Sequence, residues 1–369
     1  MHHVAPVTKE AYAPPVTTGP SAIPTRGATE NPSNRFEKIH LEPDPEWNPE
    51  DEPLLRTQFL RDNSQTIISS NDSPDIGFEA SVNPYRGCEH GCIYCYARPT
   101  HEYLGFSSGL DFETKIMVKE NAPALLRAEL SSPKWKPKVI AMSGVTDCYQ
   151  PVERKLKLTR GCLEVLAEFR NPVVIVTKNH LVTRDVDYLA ELARHKAALV
   201  CISLTSLDTE LRRVMEPRTS PPAARLAAIR ALSQAGIPVT ALVAPIIPAL
   251  NDHEIPKLLE AAAEAGAKHA SYVLLRLPYA NSHLFEQWLE THAPLKKEKV
   301  LDRIRAMRHG KLNESQFGAR MTGHGIFAEQ IGHLFEVACR KAGLGERSWE
   351  LSTAAFRRPG GTQLGLFEA

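Results

Sequence analysis

The chain has 369 residues, 43% of them hydrophobic, with 44 basic and 43 acidic side chains and a net charge of +1. That size suits one large domain or two small ones around a proper core. The near-neutral balance excludes a strong long-range pull toward nucleic acid or an anionic membrane, leaving only a local basic groove. No apolar run is long enough to span a bilayer, and the opening MHHVAPVTKEAYAPP lacks the apolar segment of a secretory signal. The default expectation is a cytoplasmic protein in a reducing setting.

Residues 1 to about 55 carry ten of the 28 prolines and little apolar periodicity, which reads as a flexible leader. Residues 56–77 are transitional, with turn signals at Asn71-Asp72-Ser73-Pro74. From Phe78 short apolar runs alternate with helical patterns. The strand candidates are Phe78–Asn83, Val139–Met142, Val173–Thr177, Leu199–Ser203, Val239–Ala244 and Ser271–Leu275. Helices are expected at Ala122–Leu130, Thr159–Phe169, Asp185–His195, Pro222–Ala235 and His253–Ala265. Such alternation implies parallel βαβ units with right-handed crossovers. The fold class is therefore α/β, a partial (β/α)6 barrel of the TIM type over residues 78–282, with a doubly wound open sheet as competitor. Residues 283–356 form a C-terminal helical region, in which Phe327, Ile331, Leu334, Phe335 and Ala338 make an apolar stripe. Residues 357–369 form a short tail behind a Pro-Gly-Gly break.

Seven cysteines at uneven spacing do not make a disulfide framework. Cys88, Cys92 and Cys95 fall within eight residues, in NPYRGCEHGCIYCYAR, with spacing C-x3-C-x2-C. The loop follows the first barrel strand directly, at the end of a barrel that carries chemistry. Thiolates are soft ligands for iron–sulfur clusters or zinc. A [4Fe–4S] cluster normally takes four cysteines, so three leave one iron open to a substrate or cofactor. The alternatives are a structural zinc site, with His90 or His101 as fourth ligand, and a chance group of buried cysteines. Zinc sites usually pair C-x2-C with a second, more distant pair, and no such pair is present.

C-x3-C-x-Tyr-C after a first strand resembles the signature of the radical SAM superfamily, over about residues 78–276. The resemblance implies that Cys88, Cys92 and Cys95 hold three irons of a [4Fe–4S] cluster. The fourth iron would chelate S-adenosylmethionine, which one electron cleaves to a 5′-deoxyadenosyl radical. It implies an electron donor such as flavodoxin or ferredoxin. It also implies that Tyr94, before the third cysteine, contacts the adenine region. Cys-Ile-Tyr-Cys-Tyr, with Val-Thr-Lys after the third strand and Ile-Ser-Leu in the fourth, resembles more narrowly the spore photoproduct lyase-related, DNA repair photolyase-like group. Damaged DNA is the substrate this suggests; RNA, protein or a small molecule is the alternative within the same chemistry. A zinc-stabilised, non-catalytic module is the alternative of another class.

Positions at strand ends follow from the same resemblance. Ser143 and Gly144 stand where a glycine-rich segment meets the cofactor's ammonium, although Ser-Gly-Val-Thr-Asp replaces the common Gly-Gly-Glu. Lys178 could meet the cofactor carboxylate, and Ser203 the same group or the ribose; each is equally readable as a turn or capping residue. Arg276 is a weaker candidate, since an ion-pairing arginine explains it as well. Tyr96 is placed with the cofactor-binding residues, and it or Tyr149 could relay a hydrogen atom. Cys148 is the candidate hydrogen-atom donor, against the reading of a buried small hydrophobe. Cys162, Cys201 and Cys339 read as core.

The tail TQLGLFEA resembles the peptide by which bacterial replication and repair proteins dock on the DNA sliding clamp. Gln363 and Leu364 lead it, and Leu366 and Phe367 are its apolar anchors. Lys296, Lys297, Lys299, Arg303, Arg305, Arg308, Lys311 and Arg320 face only three acids over residues 296–320. A phosphate-contacting face and a solvated helix surface are the two readings of that run.

Overall fold

The computed structural model describes residues 25–37, 56–345 and 350–359. The strands are β1 Gln58–Arg61, β2 Ile68–Ser70, β3 Ala80–Val82, β4 Tyr85–Arg86 and β5 Lys115–Val118. They continue with β6 Ile140–Met142, β7 Val173–Thr177, β8 Ala198–Ser203, β9 Val239–Ile246 and β10 His269–Leu274. Seven form one sheet, in the order β10-β9-β8-β7-β6-β3-β2. Neighbours from β3 to β10 run parallel, and β2 is added antiparallel at the edge.

From β3 onward the sheet order follows chain order without reversal. A doubly wound sheet needs such a reversal, so the arrangement is the partial barrel, left open between β10 and β2. Val and Ile dominate β7, and β8 reads Ala-Leu-Val-Cys-Ile-Ser, buried at all but Cys201, as a sheet covered on both faces requires. The crossover helices Leu158–Phe169, Val186–Arg194, Pro222–Gln234 and Ile255–Glu264 bury Leu163, Leu166, Leu189, Ile229 and Leu258 against the sheet. A fully buried Leu is worth roughly 2–3 kcal/mol.

Two segments depart from the sequence reading. The transitional stretch holds two strands, one of which, β1, pairs with β5 in a small second sheet ordered β1-β5-β4. Residues 25–37, read from composition as leader, pack on the protein through side-chain and backbone hydrogen bonds. Both miss the periodicity test, because they are too short or bind through polar groups.

The C-terminal helices divide the work. Asn281–His292 and Lys297–Ala306 place Phe285, Trp288, Leu301 and Ile304 in a second core that also contains Cys92, Ile93 and Tyr94. Gly325–Ala342 buries Ile331, Phe335 and Ala338 on the barrel, while Leu334, at the edge of the stripe, is exposed. The basic run between them is mostly committed. Arg308 is buried and donates to the carbonyls of Ala319, Arg320 and Leu275. Lys297, Arg303, Arg305 and Arg320 pair with Glu290, Asp252, Asp302 and Asp75. Of the two readings of that run, the ion pairs favour the solvated helix surface. No helix among the described residues is long and apolar enough to cross a membrane.

Candidate metal and cofactor site

The chain leaves β3, makes the short β4 pairing with β5, and turns into the cysteine loop. The Cys88 amide donates to Phe112 O at 2.8 Å, and the Cys95 amide to Cys92 O at 3.2 Å. Gly91, between the first two cysteines, has φ +64, and a Cβ there would lie 2.6 Å from Glu113 Oε2. Only glycine fits that turn. Arg98, fully buried at the head of the next helical turn, bonds Cys92 O with Nε at 3.1 Å and Nη2 at 2.9 Å. It also holds the Ser108 and Gly109 carbonyls and pairs with buried Glu113 at 2.5 Å. A buried ion pair with its remaining protons satisfied fixes geometry; here it fixes the backbone of the middle cysteine.

The three thiols suit iron. Cys88 and Cys92 are buried and Cys95 partly so. Burial pushes all three up from the ordinary thiol range, and for Cys88 the Asp147 carboxylate adds to the rise. Deprotonating three such thiols requires compensating cations, which iron bound to sulfur supplies. The zinc reading fares worse. Both ring nitrogens of His90 are used, Nδ1 by Asp147 at 3.3 Å and Nε2 by Asn179 at 3.2 Å. His101 lies buried between Phe106 and Phe112. Among the described residues no three His, Cys, Asp or Glu side chains gather around a single ion.

The ends of β6, β7 and β8 converge near this loop. Asp147 organises them: its carboxylate accepts from Thr177 Oγ1 at 2.8 Å, the Lys178 amide at 2.8 Å and the Tyr149 amide at 2.9 Å. Burial opposes its charge, but His90 and the surrounding donors hold the carboxyl below the usual range. The Lys178 ammonium stands 5.7 Å from the Tyr94 ring centre. Ser203, 1% exposed, has a hydroxyl with no partner. A buried orphan hydroxyl beside a thiol loop is a group that a bound polar ligand can satisfy.

Ser143 adopts φ +86, unusual for a residue with a Cβ, and its Oγ accepts from the Cys148 amide at 2.9 Å. Gly144 O accepts from the Tyr96 hydroxyl at 2.6 Å, and Arg276 lies 5.3 Å over the Tyr96 ring. Tyr94 is buried, with its hydroxyl on Glu216 and near Thr205. Glu216 in turn pairs with buried Arg225, which also bonds Ser203 O at 3.0 Å. Burial pushes against ionisation of Glu216, yet Arg225 and Lys178 outweigh it and hold the carboxyl down at about 2.

Cys148 is fully buried in the main core, its amide on Ser143 Oγ and its carbonyl accepting from Thr159, surroundings that favour the packing reading. Tyr149 is likewise core, bonded to Asp185 at 3.1 Å. Cys162 and Cys339 are buried, while Cys201 is only partly so. The peptide residues Gln363, Leu364, Leu366 and Phe367 lie outside the described residues. Arg98, Glu113, Asp147 and Glu216 were missed. Their partners are distant in sequence, as with Glu216 and Tyr94, and no local spacing announces them.

Residues 82–262 match the Radical SAM superfamily. With the thiol loop at the mouth of a partial barrel, the chain is similar to that superfamily over 181 of its 369 residues, a little under half. Its relatives include an uncharacterized protein of Mycobacterium tuberculosis, 41% identical over 59% of this chain and 65% of the relative. Another, from Methanocaldococcus jannaschii, is 32% identical over 48% of this chain and 64% of the relative. The matched stretch thus spans a little under two thirds of these relatives' lengths. Among solved structures the fold resembles a spore photoproduct lyase variant with bound AdoMet and dinucleoside spore photoproduct. That likeness has a TM-score of 0.56 and 17% identity, covering 80% of this chain and 82% of that one. A second spore photoproduct lyase variant gives 0.56 and 17% over 78% and 80%.

Proposed function

We propose that the chain is a radical SAM enzyme, with a [4Fe–4S] cluster and S-adenosylmethionine as cofactors, that acts on a damaged nucleic acid, DNA before RNA. The observation that carries the reading is the rim of the site. Beside the third cysteine, Tyr96 is half exposed, and Arg276 lies against its ring. Asn281 donates to Cys95 O at 2.7 Å, and the nearby Tyr279, 63% exposed, carries Arg35 at 3.6 Å from its ring centre. Phe36 and Tyr103, also exposed, meet with ring centres 4.9 Å apart and planes tilted by 34°. Exposed rings alternating with guanidinium groups suit extruded bases and phosphates. The fold likeness to a lyase crystallised with a dinucleoside lesion supports the same class.

In this reading Cys88, Cys92 and Cys95 hold the cluster. When bound, cluster and S-adenosylmethionine together supply a carbon-centred radical able to abstract a hydrogen atom. Lys178 meets the cofactor's carboxylate, Ser203 a cofactor oxygen, and the Gly144 segment its ammonium. Tyr94, locked by Glu216, walls the adenine side. The buried surroundings exclude water from these groups.

The test is an anaerobic turnover assay with irradiated DNA, undamaged DNA, irradiated RNA and no nucleic acid. The reading predicts that irradiated DNA raises 5′-deoxyadenosine formation and loses its lesion. Equal 5′-deoxyadenosine in all four, with no nucleic acid product, overturns it in favour of a protein or small-molecule substrate. The tail adds a partner: Gln363, Leu364, Leu366 and Phe367 dock on a DNA sliding clamp.

A further inference from the structure

We infer that residues 26–35, ahead of the barrel, form a strap that fixes the cysteine loop in its iron-holding conformation. Glu113 and Arg98 are the positioning residues that transmit it. The inference rests on the three cysteines as iron ligands and is independent of the substrate.

The contacts form one relay. Buried Glu113 accepts the Gly27 amide at 3.0 Å through Oε2 and the Ala28 amide at 2.8 Å through Oε1. The same Oε1 pairs with Arg98, whose guanidinium bonds Cys92 O. Arg26 bonds the Glu113 carbonyl at 3.1 Å. Two backbone amides of the strap and the carbonyl of an iron ligand thus share one buried ion pair. Glu113 loses part of its satisfaction if the strap leaves, and an under-satisfied buried carboxylate is costly.

Packing is as close as the hydrogen bonding. A Cβ on Gly27 would fall 1.8 Å from Gly91 O and 3.2 Å from the Ile93 amide, so the strap's backbone lies directly on the turn between Cys88 and Cys92. Ala28 belongs to the same apolar cluster as Cys92, Ile93 and Tyr94. The far end is anchored separately. Asn31 exchanges hydrogen bonds with Asp111 at 3.1 and 2.8 Å. Pro32 O accepts from Ser107, and Asn34 donates to Glu102 O at 2.8 Å. The strap lies outside the residues that match the superfamily, 82–262, so this chain supplies from elsewhere part of what holds its cluster loop.

The experiment uses the full chain, anaerobically reconstituted, as wild type, Gly27→Ala, Asn31→Ala and Gly77→Ala. Gly77 has no atom within 4 Å of a would-be Cβ and serves as control. The readouts are iron release to a ferrous chelator, the electron paramagnetic resonance of the reduced cluster, circular dichroism and thermal unfolding. Gly27→Ala should release iron at least about tenfold faster, with an altered cluster spectrum and an unchanged barrel dichroism, as an overpacked contact of 1–3 kcal/mol predicts. Asn31→Ala, which removes a side chain bonded to Asp111, should release it about threefold faster, and Gly77→Ala at the wild-type rate. Should Gly27→Ala lose its folded dichroism, Asn31→Ala decides alone. Iron release at the wild-type rate from Asn31→Ala overturns the inference, even if its thermal stability falls, because a merely structural contact predicts that pattern.

Discussion

The floor of the site and its rim are built on opposite principles. Beneath the cysteines, polar groups are buried and partnered: Arg98 pairs with Glu113, Arg225 with Glu216, the Tyr94 hydroxyl donates to Glu216, and His90 lies against Asp147. At the rim, arginines rest on exposed rings: Arg276 on Tyr96, and Arg35, which also pairs with buried Glu102, on Tyr279. Buried pairs are costly to break and hold one geometry. Exposed cation–ring contacts are worth about 0.5–1 kcal/mol and rearrange easily. The floor therefore suits a resident cluster held in one geometry, and the rim a substrate that must enter and leave.

Substitutions break this contrast in a graded way. Cys92→Ala should have the largest effect, abolishing cluster binding and 5′-deoxyadenosine formation; iron and sulfide analysis with a product assay checks both. Next, Glu216→Gln leaves buried Arg225 without its counter-charge. The expected loss is about 3–5 kcal/mol of stability, read by denaturant unfolding, with a changed cluster spectrum because Tyr94 loses its anchor. A loss under about 1 kcal/mol would remove the floor's claim to rigidity.

The third effect is pH dependence. Burial pulls the His101 imidazole from 6.5 down to about 4. Its folded value lies below its unfolded one, so the unfolded chain binds more protons between those limits. The contribution is whole above about pH 6.5 and is lost as pH falls toward 4, on the order of 3 kcal/mol. His101→Phe, matched to the Phe106 and Phe112 surroundings, should flatten that acid limb in pH-dependent unfolding. An unchanged slope would mean that the ring is not held neutral. The smallest effect on stability belongs to the rim: Tyr103→Ala, at a residue 74% exposed, should cost less than about 0.5 kcal/mol. It should nonetheless weaken binding of a single-stranded oligonucleotide, measured by fluorescence anisotropy, by about 1 kcal/mol or more. Equal affinity would remove this ring from the proposed substrate path.

The sequence was readable where apolar runs are long. Val173–Thr177 appears as a strand with those same bounds, and the Val239 strand extends two residues past its expected end. The helix at Pro222 ends one residue early, at Gln234. The two-residue β4 and the exposed Gln58–Arg61 strand carry no alternation that could reveal them. C-x3-C-x2-C was legible because its chemistry is local. The supports were not, because Glu113 meets Gly27 and Glu216 meets Tyr94 only after folding. Residues 26–35 hid for a related reason: they attach through backbone amides and asparagines, which leave no apolar stripe.

The central claim is that the cysteine loop carries a cluster that cleaves S-adenosylmethionine. Its most direct test is anaerobic reconstitution, reduction with dithionite, addition of S-adenosylmethionine and chromatographic measurement of 5′-deoxyadenosine. The account predicts an iron- and sulfide-bearing protein that forms 5′-deoxyadenosine, and a Cys92→Ala variant that forms none. Zinc in place of iron, or a bound cluster that never yields 5′-deoxyadenosine, would contradict it.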